Sequence, residues 1–88
     1  MITQRRSTQE GKVMVTFEIS NTIWTESVHL VGDFNSWDSK SLPLHRDWKQ
    51  DWILELELDA DRKYCYRYLF DSHHWGDNGH AGILLTSN

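Results

Sequence analysis

The chain has 88 residues and a formal net charge of −4 at pH 7, so its length suits one small domain and its charge lacks the basic excess typical of nucleic-acid binding. Its one cysteine, Cys65, excludes a disulfide within the chain, and no segment reaches the roughly 18 apolar residues that a membrane helix needs. Because residues 1–12 also lack a signal-peptide pattern, these features predict a cytoplasmic domain with no nucleic-acid and no membrane partner.

Alternating apolar and polar residues predict strands along most of the chain, and no segment has the period of a helix. The polar residues 1–11 are expected to form a flexible N-terminal arm. Strands are predicted at 12–19, 28–31, 52–58 and 64–70, and turn-forming residues separate them. Short strands with one apolar face are typical of an antiparallel β-sandwich or a small barrel.

The C-terminal segment fits this pattern less well. After Trp75, only residues 83–85 resemble the beginning of a strand, and a seven-stranded sandwich needs one more. We therefore expect residues 12–88 to form the sandwich and leave two alternatives open for its last strand: the fold has one edge strand fewer, or the chain ends early.

Five tryptophans are more than so small a core can use. Trp52 begins the apolar face of a predicted strand and is expected in the core. Trp24 is expected to pack over one end of the sandwich, and Trp48 to shield a hairpin tip or touch a partner. Trp37 and Trp75 follow strands in polar loops, where a large apolar ring is unusual.

Arg67 lies on the polar face of the strand that leads to Trp75, so two indoles and a guanidinium together suggest a binding platform. Aromatic rings stack on nucleobases, on cations and on the apolar faces of sugars. The net charge disfavours nucleobases, and no cage of carboxylates favours a cation. A sugar remains, since its hydroxyls can bond to Arg67 and to asparagine and serine side chains.

The segments GDFNSW at 32–37 and YRYLFD at 66–71, followed by Trp75, resemble the motifs of carbohydrate-binding module family 48. This family is the isoamylase N-terminal domain, an all-β, immunoglobulin-like (early-set) antiparallel β-sandwich. Its members precede the catalytic barrels of branching and debranching enzymes, and one is the glycogen-binding domain of the AMP-activated protein kinase β subunit. The chain is most similar to small stand-alone bacterial members, and the resemblance runs from about residue 13 to residue 75.

The resemblance also implies which residues bind sugar. The tryptophan of the first motif stacks on an α-glucan ring in the kinase module and matches Trp37, with Asn35 shaping the turn that presents it. The basic residue of the second motif matches Arg67, and the second stacking tryptophan matches Trp75. The turn before Trp75 is one residue longer here and lacks the family's glycine. The remaining contacts of the kinase module, a leucine and a nearby asparagine, fall at or just past Asn88, so the resemblance makes Asn88 a candidate to replace one of them.

The predicted function is therefore a non-catalytic module that binds a glycogen- or starch-like α-glucan without a cofactor or a metal. The alternative is a structural or protein-interaction module of the same fold, with a glycogen-metabolism enzyme or another protein as its partner. Glu55 and Glu57 share a solvated strand face without the cleft that a glycosidase needs. His73, His74 and His80 show no standard zinc spacing.

Overall fold

The computed structural model describes residues 1–76 and 81–87. In those residues, eight strands form two antiparallel sheets, and no helix is long and apolar enough to cross a membrane. The strands are β1 (Ile2–Arg6), β2 (Lys12–Ile19), β3 (Val28–Gly32), β4 (His45–Arg46), β5 (Trp52–Asp59), β6 (Lys63–Phe70), β7 (His74–Trp75) and β8 (Gly82–Leu85). The first sheet has the order β1-β2-β5-β4. In the second, β3 lies along one edge of β6, and β7 and β8 share the other edge. The predicted immunoglobulin-like sandwich is confirmed.

The core lies between the two sheets and is filled from alternate positions of their strands. Along β2 the burial alternates at every residue, as the sequence predicts. Trp52 is 7% exposed, so its predicted place in the core is confirmed. The buried cluster consists of Val13, Val15, Phe17, Ile19, Val28, Leu30, Leu44, Trp52, Leu58, Tyr64 and Leu84.

The prediction of a flexible arm over residues 1–11 is wrong for Ile2–Arg6, which form β1. This strand pairs with β2 along its whole length, with Ile2 opposite Phe17. It carries no apolar alternation because an edge strand gains its stability from backbone bonds to its neighbour, and polar side chains there discourage pairing with another chain. Periodicity alone therefore missed it.

Gln4 connects β1 to the second sheet. Its side-chain Nε2 donates to the Leu85 carbonyl oxygen at 2.9 Å, and its Oε1 accepts from the Ser87 amide at 3.2 Å. An amide side chain offers both a donor and an acceptor, so it can bond to a backbone as another peptide group would. The bridge ties β1 to the end of β8.

Residues 82–85 form a complete strand, β8, where the sequence suggests only the beginning of one. It pairs with the first half of β6, from Gly82 opposite Tyr66 to Leu85 opposite Lys63. Strand β8 therefore occupies the same edge of β6 as β7 in the second sheet.

Hydrogen exchange tests whether β1 is a strand in solution. The Glu18 amide donates to the Met1 carbonyl at 2.8 Å, and antiparallel alternation then assigns the amides of Thr3 and Arg5 to bonds with β2. We expect both amides to exchange about tenfold or more slowly than the amide of Thr8 in the following loop, measured by NMR. Equal rates at the three positions would mean that residues 2–6 form the arm after all.

Candidate functional site

Arg67 and Trp75 project from the same face of the second sheet. Arg67 is paired with Val31 of β3, and Leu69, two residues further along β6, is paired with Trp75 of β7. Paired residues of antiparallel strands share a face, and so do residues two apart on one strand. This face points away from the core. Val31 and Leu69 are nevertheless buried, which shows that the outer face is itself a packed layer.

The guanidinium of Arg67 lies against the indole of Trp75. Its Cζ is 4.3 Å from the ring centroid, within the range of a cation–π interaction. Trp75 is 42% exposed despite this contact. The pair therefore places a partly exposed indole next to a guanidinium.

Two local features set the position of Trp75. The preceding turn contains Asp71 and Ser72 at φ of 54° and 65°, a left-handed conformation that Asp tolerates well. The following residue is Gly76, and a Cβ at that position would lie 2.1 Å from the ring of Phe70. The turn thus closes without a glycine, and the glycine that the hairpin does require comes after the tryptophan.

Trp37 is held at the end of β3 by Asp33. The Trp37 indole Nε1 donates to Asp33 Oδ1 at 2.9 Å, while Asp33 Oδ2 accepts from the Cys65 amide at 2.7 Å. The carboxylate therefore ties the indole to the beginning of β6. Trp37 is 41% exposed. The sequence analysis did not assign this role to Asp33, although its position four residues before Trp37 was an available signal.

Asn35 closes the turn that carries Trp37. Its Oδ1 accepts from the Gly32 amide at 3.0 Å, and its Nδ2 donates to the Asp38 carbonyl and the Ser41 hydroxyl, both at 2.9 Å. Gly32 is needed because a Cβ there would lie 2.6 Å from the carbonyl oxygen of Cys65. The motif GDFNSW thus specifies a compact turn whose last residue is the tryptophan.

The other predicted positions have different outcomes. The prediction that Trp24 packs over the sandwich end is wrong, since its side chain is fully exposed. Trp48 is also largely exposed on its turn.

Asn88 lies outside the described residues, and so does His80. The rings of His73 and His74 are 4.5 Å apart, and His73 Nδ1 is 2.6 Å from the Asp71 carbonyl oxygen.

A group of carboxylates in the described residues, Glu18, Asp47 and Asp51, has the spacing of a metal site. Two of these carboxylates already accept hydrogen bonds from backbone amides. Asp47 Oδ1 accepts from the Lys49 amide, and Asp51 Oδ1 accepts from the Asn21 amide. Glu18 lies on β2 of the first sheet, away from the face that carries Arg67, and the two aspartates lie in the turn between β4 and β5, which their hydrogen bonds shape.

The model of a known protein family, carbohydrate-binding module 48 (isoamylase N-terminal domain), matches residues 11–86. The chain belongs to this family. The predicted family is therefore confirmed, and the matched segment is a carbohydrate-binding module of a non-catalytic type with a carbohydrate as its partner. The match runs from β2 to β8, and β1 precedes it. No curated protein gives a significant match to the chain.

The acid sensitivity of the fold tests the Asp33 contacts. The Cys65 amide and then the Trp37 indole N–H lower the pKa of Asp33 below its usual value of 3.8. The charged carboxylate therefore stabilises the fold above about pH 4, and this stabilisation is lost as the pH falls through the lower folded-state pKa. We expect Asp33→Asn to melt at a lower temperature than wild type at pH 7, with the difference shrinking below pH 4. The matched control is Glu10→Gln in an exposed loop, and a constant difference at all pH values would contradict the assignment.

Proposed function

We propose that the module binds an α-glucan of the glycogen or starch type, with Trp37 and Trp75 stacking on glucose rings and Arg67 donating to hydroxyls. The contact between Arg67 and Trp75 on the outer face of the second sheet carries this proposal. It places an apolar surface beside charged donors, and a glucose ring needs both, since its C–H face is apolar and its rim carries hydroxyls.

Trp37 would supply the second stacking surface. Because its indole N–H is already bonded to Asp33, the ring has only its faces and edges to offer a ligand. It emerges where β3 ends, and β3 is paired with β6 up to Gly32 opposite Tyr66, one residue from Arg67. Asn35 would contribute by fixing the turn rather than by touching the sugar.

The expected affinity is low. If each stacked ring contributes about 1–3 kcal/mol, as aromatic stacking on nucleobases does, two rings less the cost of ordering give roughly micromolar to millimolar binding. A polysaccharide repeats its binding unit many times, so weak sites suffice when several act together. The acidic charge of the chain does not oppose a neutral polymer.

Ile83 and Leu85 favour the alternative, a structural or protein-interaction module. Both are largely exposed on the same outer face, opposite Cys65 and Lys63 of β6. Exposed apolar side chains beside a packed layer suit a neighbouring protein surface, for example that of a glycogen-metabolism enzyme. Such a partner would cover the tryptophans without any sugar.

Tryptophan substitutions separate the two functions. We expect Trp37→Ala and Trp75→Ala each to weaken binding about 10- to 100-fold, because each removes one stacked ring. Electrophoresis in gels containing glycogen measures this loss. Both variants should stay folded because both rings are half exposed, and Trp37→Ala should melt at a somewhat lower temperature than Trp75→Ala because it also loses the indole bond to Asp33. Trp48→Ala removes an exposed tryptophan elsewhere and should bind as wild type.

Two results would contradict the α-glucan proposal. Undiminished retardation of both variants would remove the tryptophans from the site. A folded wild-type protein that is not retarded by glycogen would favour the alternative, and Ile83→Ser with Leu85→Ser should then abolish association with the protein partner.

A further inference from the structure

A concave surface separate from the Arg67–Trp75 face lies at the end of the sandwich, where the β2–β3 loop, β4 and the β6–β7 turn come together. It is an open cleft of about 900 Å³, a size within the range of small-molecule sites. One wall is aromatic and the rest is polar. The cleft is lined mainly by Trp24, Thr25, Glu26, Arg46, Asp71 and His73.

Trp24 is fully exposed in this cleft, although the backbone around it is well anchored. Before it, the Asn21 amide donates to Asp51 Oδ1 at 2.9 Å, and Asn21 Nδ2 donates to the Lys49 carbonyl at 2.8 Å. After it, the Thr25 hydroxyl donates to Asp71 at 2.8 Å. Because the loop is anchored, its backbone needs little ordering when a ligand binds, and only the exposed ring of Trp24 has to be immobilised.

The guanidinium N–H groups of Arg46 are held in place at the cleft by contacts with the protein. Its Cζ lies 4.3 Å from the ring centroid of Trp52, and its Nη1 donates to the Gln50 carbonyl at 2.9 Å. Its Nη2 makes a longer bond, 3.5 Å, to the Thr25 carbonyl at the cleft. A guanidinium has five N–H groups, so others can donate to a ligand.

Asp71 fixes the backbone segment that lines the cleft next to Trp24. Its Oδ1 accepts from the Thr25 hydroxyl and from the amides of Glu26 and Ser27. Asp71 also begins the hairpin that carries Trp75, so one hairpin contributes to both surfaces. The cleft and the Arg67–Trp75 face therefore share this hairpin.

We propose that this cleft is a second α-glucan subsite, with Trp24 stacking on a glucose ring, Arg46 donating to hydroxyls and the Glu26 carboxylate accepting from one. The mixture of donors, acceptors and one aromatic wall suits a neutral polyhydroxylated ligand better than an ion. The identity of the ligand rests on the proposed function. Two subsites on one domain raise the apparent affinity for a branched polymer without any new contact.

NMR titration of the full chain with maltoheptaose tests this inference. We expect two sets of shifted signals, the indole N–H groups of Trp37 and Trp75 in one set, and the Trp24 indole with the amides of Glu26 and Ser27 in the other. In the Trp37→Ala, Trp75→Ala double variant only the second set should shift.

Single variants of the cleft complete the experiment. Trp24→Ala should keep only the first set and bind glycogen about tenfold more weakly, because avidity is lost. Glu26→Gln should reduce the shifts of the second set. The matched control is Trp48→Ala, an exposed tryptophan on the neighbouring turn that does not line the cleft, and it should keep both sets.

The outcomes distinguish the two proposals. If the first set shifts and the second does not, the cleft is not a subsite and the proposed function stands. If only the second set shifts, the cleft binds glucan and the Trp37–Trp75 site is wrong. If neither set shifts in folded protein, both proposals fail.

Discussion

The alternation of side chains along β6 is the constraint on which the rest of the structure depends. Its inward residues make aromatic contacts with the core, such as Tyr66 with Phe17 at 5.8 Å between ring centroids. Its outward residues include Arg67, which meets Trp75. A slip of one residue would exchange the two faces, burying the guanidinium and exposing the aromatic rings. The packing that stabilises the fold therefore also positions the outer face.

Short polar side chains, rather than core packing, hold the loops that carry the exposed tryptophans. Asp33 and Asn35 fix the turn of Trp37, and Asn21 and Asp71 anchor the loop of Trp24 on its two sides. A core this small cannot bury the base of every loop, so carboxylates and amides satisfy the backbone groups instead. The surfaces available for binding are thus well ordered at neutral pH, and their carboxylate anchors weaken in acid.

In the proposed function, the module contacts an α-glucan polymer through two surfaces. The outer face of the second sheet and the cleft at the sandwich end are separate surfaces, and the hairpin of Asp71 and Trp75 contributes to both. Each surface pairs an indole with an arginine that itself lies against an aromatic ring, Arg67 on Trp75 and Arg46 on Trp52. Stacking restricts the guanidinium before a ligand arrives, which reduces the ordering cost of weak binding.

The sequence by itself determined the long strands, the core and the family, because a period of two residues and the turn motif GDFNSW are local signals. The strands β2, β3, β5 and β6 and the burial of Trp52 were predictable in this way. Only the tertiary structure decided that the polar residues of β1 form a strand, since their bonds are to β2 and their side chains carry no pattern. It also decided the contact of Arg67 with Trp75 and the full exposure of Trp24. Both depend on which strands and loops become neighbours. Local periodicity carries no information about contacts between segments that are far apart in the chain.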